Sequence, residues 1–256
     1  MKQVLIIGIG VGDPDHVTMQ AIAAMNRVDV FFVIDKGAAK ADLMNLRTEI
    51  CDRFIPKPSS YRTVEIRDPA RDRDPVDYEA AVATWHQTRA EQFAAVIDRE
   101  LADGEVGAFL VWGDPALYDS TLRIVEQIAR QPEAGLEYEV IPGVTAVHTL
   151  AARHRIPLHR IGESALITTG RRLAAVGTLT DDNVVVMLDG ECAFRAIDPV
   201  GIEIFWGAYL GTADEILIAG PLEEVGPTIQ RVRAEARARK GWIMDIYLLR
   251  RSRAGV

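Results

Sequence analysis

Three stretches of this chain place glycine beside proline, aspartate or threonine directly after an apolar run. Each could bring a ligand against bare backbone. The first reads Gly8-Ile9-Gly10-Val11-Gly12-Asp13-Pro14, the second Val111-Trp112-Gly113-Asp114-Pro115, and the third Val140-Ile141-Pro142-Gly143-Val144-Thr145-Ala146. Glycine has no Cβ, so a small molecule can approach its peptide group closely. A dinucleotide-binding turn would need glycine at position 13, where this chain has Asp13 followed by Pro14. Aspartate is a good helix cap and proline opens a helix without wasting a donor. The capping carboxylate would then hold the positive helix end that a phosphate needs, so the spacing favours a ligand without phosphate. Each turn alone reads equally as a tight bend. Three of them after buried strands could build one pocket, because ligands of open α/β sheets settle beyond the carboxyl ends of the strands.

Other chemistry is sparsely provided for. Cys51 and Cys192 lie far apart and form no C-x-x-C pair, so they read as buried, reduced thiols. His154 and His159 stand five apart, off the i, i+4 spacing, and no H-E-x-x-H occurs. No metal site is expected.

The turns need strands and helices to carry them. Val4-Leu5-Ile6-Ile7 and Val30-Phe31-Phe32-Val33-Ile34 are short apolar runs of the kind buried on both faces. Between them Val17, Ala21, Ala24, Met25 and Val28 step at helical spacing, and Leu43, Leu46, Ile50 and Cys51 trace a second helix face. Residues 56–76 hold Pro56, Pro58, Pro69 and Pro75 with Arg62, Arg67, Arg71 and Arg73, and read as irregular surface chain. Residues 77–103 form a long amphipathic helix, stopped by Gly104, whose apolar stripe from Tyr78 to Leu101 is core or dimer packing. A strand over 107–111, a helix over 117–130 and a strand over 138–141 extend a parallel βαβ pattern. Beyond lie a helix over 144–153, apolar runs at 165–168, 184–188, 202–206, 216–219 and 243–249, and a charged helix over 227–240. The domain boundary is expected after Gly135 or inside the Pro142-Gly143 turn, giving domains 1–135 and 136–256.

With 256 residues, 48% apolar and 26% charged, the composition is that of a globular protein large enough to need no staples. Lys and Arg number 29 against 37 Asp and Glu, a net charge of −8, which argues against a general nucleic-acid or anionic-membrane binder. A local basic patch for an acidic small molecule stays open. No stretch reaches the ~20 apolar residues of a membrane span, and the first residues lack the form of a signal peptide. The expectation is a cytoplasmic protein without nucleic-acid or membrane partners.

In order and combination, the turns resemble the tetrapyrrole methylases, the S-adenosylmethionine-dependent methyltransferases of cobalamin and sirohaem synthesis. Gly8 to Thr18 meets the pattern G-x-G-x-G-D-P-x-x-x-T, a strand ends in Asp35, and Gly113-Asp114-Pro115 follows another strand. Pro142 to Leu158 supplies P-G-V-T and a small-residue helix ending I-P-L, and the likeness runs on through Thr168-Thr169-Gly170, Met187 and Gly211-Thr212. The resemblance implies two α/β domains with a ligand cleft between them, distinct from a classical Rossmann methyltransferase. It implies S-adenosyl-L-methionine as methyl donor, S-adenosyl-L-homocysteine as product, no metal, and a homodimer. Donor contacts are implied at Gly10, Val11, Trp112, Gly113, Asp114, Leu117, Thr145, Ala146, Met187, Gly211 and Thr212. Within the family, Phe31 to Gly37 and Ile204 to Thr212 look most like the members that convert precorrin-5 to precorrin-6A with release of acetate.

The substrate so implied, precorrin-5 or a related tetrapyrrole, carries many carboxylates. Lys36, Arg153, Arg155 and Arg160 are the expected partners, the last three in the densest basic cluster with His154 and His159. Arg231, Arg233, Arg237 and Arg239 read as a solvated helix face. Acetate release needs water at an acyl carbon, for which Asp35 and Asp114 are the candidate bases, unless each only caps backbone donors. The chain departs from the family at Val11, often proline, and at Tyr118-Asp119-Ser120, where the family has glycine or serine-glycine; contacts of that turn beyond Leu117 therefore stay unassigned. Alternatives are another precorrin, a protein or RNA target, a nicotinamide dehydrogenase, which Asp13 disfavours, and a tetrapyrrole carrier without catalysis.

Overall fold

The apolar run at the N-terminus becomes β1 (Lys2–Gly8), whose Val4, Leu5, Ile6 and Ile7 have no solvent exposure. The computed structural model describes residues 1–35, 41–57, 60–69 and 77–252. These divide into two compact units, Met1–Gly10 with Pro14–Val144, and Val11–Asp13 with Thr145–Val256.

In the first unit β1 is joined by β2 (Val30–Asp35), β3 (Arg62–Arg67), β4 (Val106–Val111) and β5 (Leu136–Ile141) in the order β3-β2-β4-β1-β5. All four pairings are parallel. Successive side chains of a strand point to opposite faces, and the core splits accordingly. Leu5, Ile7, Phe31 and Leu110 pack with α1 (Met19–Met25) and α2 (Ala41–Phe54) on one face. Val4, Ile6, Phe32 and Phe109 pack with α3 (Tyr78–Glu100) and α4 (Thr121–Ala129) on the other. The chain thus leaves β1 for one face and β4 for the opposite face, although the two strands are neighbours. This is the switch point at which open α/β sheets bind ligands.

In the second unit β6 (Leu166–Thr169), β7 (Asn183–Met187), β8 (Ile202–Ala208), β9 (Ile216–Pro221) and β10 (Asp245–Arg251) form a sheet ordered β6-β7-β10-β8-β9. Only β6 and β7 run parallel; the other three pairings are antiparallel. Trp206 and Tyr247 are the largest side chains of its core. The helices are α5 (Ala146–His154), α6 (Gly170–Val176) and α7 (Leu222–Lys240). Both units mix helices with a sheet, as expected. Among the described residues no helix is long and apolar enough to cross a membrane.

Several expectations need correction. A boundary after Gly135 would give β5 to the second unit, yet β5 pairs with β1 from Lys2 to Ile7, so the units divide after Val144, beside the alternative Pro142-Gly143 turn. The stretch read as irregular contains β3, an edge strand in which only Ile66 is fully buried; its charged residues hide the strand pattern. Pro14 opens a single 3₁₀ turn, and the first α-helix starts at Met19, where the Thr18 hydroxyl accepts from Ala21 N at 3.0 Å. The helix expected from 117 starts at Thr121, because Tyr118 takes a left-handed φ of 54° and Asp119 accepts from Thr121 N. The helix expected from Pro227 starts at Leu222, which packs into the core. Arg233, expected on a solvated face, is 7% exposed.

The edge strand β3 is fastened at its start by Arg62, which donates from Nη1 and Nη2 to the two Glu105 oxygens at 3.0 and 2.9 Å. Glu105 also accepts from Ala102 N. The hydrogen bonds from Arg62, before that from Ala102, hold the Glu105 carboxyl down from 4.5 to about 2. A carboxyl depressed on folding stabilises above its unfolded value and loses that contribution as pH falls toward its folded value. Glu105→Gln is therefore expected to melt at a lower temperature than wild type at pH 7, with the gap narrowing as pH drops through 4.5 toward 2. Melting curves with the same gap at pH 7 and pH 3 would contradict the pairing.

Candidate functional site

In the first unit, turns leave the carboxyl ends of β1, β4 and β5 and meet one another. Gly113 N donates to Gly10 O at 2.7 Å, Gly10 N returns a bond to Gly113 O at 3.3 Å, and Ile9 N donates to Val111 O at 3.0 Å. Asp114 ties in the third turn: its Oδ2 accepts from Gly143 N at 2.9 Å, and its Oδ1 accepts from Ala116 N at 2.8 Å. A Cβ at Gly143 would lie 2.1 Å from Gly113 O, and one at Gly8 would lie 2.6 Å from Gly143 N. Backbone packs on backbone here with no room for a side chain. Gly10 and Gly113 also take φ values of 77° and 71°, a left-handed conformation that costs other residues free energy. The three bends expected to be neighbours are neighbours within this unit.

Asp114, one of the two candidate bases, therefore commits its carboxylate to two backbone donors, which is the capping alternative. Asp35 closes β2. Trp112 and Leu117 are half-buried on either side of the Gly113-Asp114 turn, and Leu117 N donates to Asp114 O at 3.2 Å.

In the second unit the tripeptide Val11–Asp13 packs on the turn that follows β8. A Cβ on Gly12 would meet Thr212 Cγ2 at 2.6 Å and Leu210 O at 2.7 Å, and one on Gly211 would meet Asp13 N at 2.8 Å. Gly211 N donates to Glu215 Oε2 at 2.7 Å, and the Thr212 hydroxyl donates to Tyr209 O at 2.8 Å. Arg153 Nε donates to the same Glu215 oxygen at 3.0 Å, with its Nη2 3.6 Å from Asp13 Oδ2. Thr145 caps α5, its hydroxyl accepting from His148 N at 3.2 Å, and Ala146 is the first helical residue. Met187, at the end of β7, is half-buried.

The expected substrate cations fare differently. Arg153 is engaged by Glu215 and Asp13. Arg160 donates to Arg251 O at 3.1 Å and lies 3.7 Å from Glu163. Arg155 ends α5 in a left-handed conformation and is exposed. Lys36 lies outside the described residues. Among the described residues no group of three His, Cys, Asp or Glu is placed to hold a metal.

A buried ionic network behind Met187 escaped the sequence reading. Arg233 donates to Asp245 Oδ2 at 2.8 Å and to Asp189 O at 2.6 Å, and Trp206 Nε1 donates to Asp245 Oδ2 at 3.0 Å. Asp189 accepts from Tyr247 OH at 2.6 Å and from the amides of Glu191 and Ala193. Burial pushes the Asp245 carboxyl up against the pull of Arg233, and burial likewise raises the Tyr247 phenol. The network holds the turn that starts one residue after Met187. Its signal was available: Arg233 stands four residues after Ile229 and three before Ala236, both buried, hence on the apolar stripe of its helix.

At these turns the amides of Ile9, Gly10, Gly113 and Gly143 and the Asp114 carboxylate are bonded within the protein, which makes the turns a fixed frame. Comparison with known proteins shows what the chain resembles. A sequence profile of the tetrapyrrole (corrin/porphyrin) methylases matches residues 3–226. The chain is 50% identical over 251 residues to a precorrin-6A synthase [deacetylating] of Sinorhizobium sp, covering 98% of this chain and 96% of that protein. A solved cobalamin-synthesis-related protein (CobF) of Corynebacterium diphtheriae superposes with a TM-score of 0.84 at 38% identity, over 99% of this chain and 100% of that one. A uroporphyrin-III C-methyltransferase of Thermus thermophilus, solved with S-adenosyl homocysteine, shares the fold at a TM-score of 0.57 and 18% identity, over 96% of each chain.

Two stability measurements test the site's framework. Gly143→Ala forces a methyl group onto the Gly113 carbonyl and is expected to cost about 1–3 kcal/mol in urea unfolding, as overpacking does; an unchanged midpoint would mean the turns are not in contact. Arg233→Met leaves Asp245 buried without its partner and is expected to cost about 3–5 kcal/mol; a loss within about 0.5 kcal/mol, typical of surface positions, would place Arg233 in solvent.

Proposed function

The chain belongs to the tetrapyrrole (corrin/porphyrin) methylases, and on that premise we propose that it is the S-adenosylmethionine-dependent C-methyltransferase of cobalamin biosynthesis that converts precorrin-5 to precorrin-6A with release of acetate. The observation that carries this reading is the 50% identity to the Sinorhizobium precorrin-6A synthase, which runs over 98% of the chain and so includes every turn described above. The donor is assigned to Gly10, Trp112, Gly113, Asp114 and Leu117 of the first unit and to Val11, Thr145, Ala146, Met187, Gly211 and Thr212 of the second. The fit rests on the place of the glycine turns, at the carboxyl ends of β1, β4 and β5 and at the switch point of the sheet. The reading includes a homodimer working in the cytoplasm.

When bound, the donor supplies a methyl group on a cationic sulfur whose leaving group is a neutral thioether. The protein's task is alignment, since reacting atoms held about 3–3.5 Å apart and in line gain most of what enzymes obtain from proximity. Rigid backbone bonds between Gly10 and Gly113, and the Asp114 tie to Gly143, serve that task. Asp114 holds the turn instead of carrying a proton. Asp35, at the end of β2, is the group assigned to activate water for acetate release. Arg155 is the exposed cation left to meet substrate carboxylates, together with Lys36.

Purified protein incubated with precorrin-5 and S-adenosylmethionine is expected to give a product with one added methyl group and one equivalent of acetate, followed by mass spectrometry, and nothing without the donor. Methyl transfer without acetate would reassign the chain to another reaction of the family. Transfer to RNA or protein in place of the tetrapyrrole would refute the substrate class.

A further inference from the structure

A cavity of about 140 Å³ lies in the first unit between β2, α2, the start of β3 and Leu110 of β4. Phe31, Phe32, Val33 and Leu110 give it apolar walls, and among the described residues Arg47 is the only charged one lining it. Arg47 Nε donates to Leu110 O at 3.2 Å, which fixes the guanidinium against β4. Among the described residues its Nη atoms have no hydrogen-bond partner and no carboxylate lies within ion-pair distance. Asp119 attracts it from farther off while accepting from Thr121 N. Burial lowers the Arg47 guanidinium below the ordinary arginine value, the mark of a cation short of solvent.

The other polar residues described in its lining, Thr48, Cys51, Tyr61 and Thr63, carry no charge at neutral pH. Burial, with Asp52 adding to it, pushes the Cys51 thiol up to about 11, and burial also raises the Tyr61 phenol. One desolvated guanidinium, neutral donors around it and room for a few heavy atoms match one chemistry. Guanidinium and carboxylate pair through two parallel hydrogen bonds, and the Phe31 and Leu110 side of the cavity suits a methyl or methylene group. Leu110 stands three residues before Gly113, so the cavity adjoins the strand that carries the second glycine turn.

We propose that this cavity is a carboxylate subsite in which Arg47 receives the acid end of a short carbon chain, either a peripheral arm of the tetrapyrrole or the free acetate that leaves it. The inference rests on the functional reading above for the source of the carboxylate, and on the cavity alone for its chemistry. Two probes test it without turnover: isotopically labelled acetate followed by NMR line broadening, with acetamide as the uncharged control, and uroporphyrin, a polycarboxylate porphyrin, followed by fluorescence quenching. Arg47→Gln is expected to weaken at least one probe about tenfold or more, the worth of a charge-assisted hydrogen bond, while S-adenosylmethionine binding in calorimetry stays unchanged. Loss confined to acetate identifies the free acid, and loss confined to uroporphyrin identifies the arm. Arg47→Lys, which keeps charge and bulk, is expected to retain part of the affinity and decides the matter if the glutamine variant does not fold. Absence of methyl transfer would sink the functional reading and leave these binding results intact. Wild type that binds neither probe, acetamide that competes as well as acetate, or variants that bind both probes like wild type would overturn the subsite.

Discussion

Peptide groups of three turns share a space that admits no side chain. A single methyl at Gly143 would lie 2.1 Å from the Gly113 carbonyl oxygen, well inside any tolerable contact. That constraint explains why glycine stands at the end of β1 and in the turn after β5; in the turn after β4, Gly113 takes a φ of 71°, and Asp114 bonds the backbone amides that tie the turns together. It also shapes the chemistry. A frame whose amides and carboxylate bond one another is stiff. Methyl transfer from a sulfonium asks for that and little else, because its leaving group departs neutral.

The second unit achieves rigidity by a costlier route. Burying Arg233 with Asp245 and Asp189 removes charges from water, which apolar residues of equal volume could match for stability. What the ionic cluster adds is direction. Its bonds converge on Asp189 and the amides of Glu191 and Ala193, and so fix the path of the chain just after Met187. A turn that must hold one conformation benefits from directional bonds more than from area.

Much of the fold was legible because hydrophobic burial writes a simple pattern. The largely buried strands β1, β2 and β4 appear as apolar runs, and the glycine turns after β1 and β4 announce themselves where those runs stop. Legibility failed where the pattern carries charge. β3 is an edge strand that buries only Ile66, so its arginines and glutamate read as loop. The start of α4 moved because Tyr118 adopts a left-handed conformation, which no propensity foretells. Arg233 was misread for its charge although its spacing put it among core residues, and Arg47 drew no notice because a lone arginine on a helix gives no sign of a cavity beside it. Arg153, by contrast, drew notice as a substrate ligand, and the structure bonds it to Glu215 and Asp13.

The account stands or falls on the glycine turns being the seat of the methyl donor. A crystal structure of the protein with S-adenosylhomocysteine bound is the most direct measurement. The nucleoside is expected against the peptide groups of Gly10 and of the Gly113-Asp114 turn, with the Asp114 carboxylate still bonded to Gly143 N. Density for the nucleoside away from these turns, or an Asp114 released from Gly143 to reach the ligand, would contradict it.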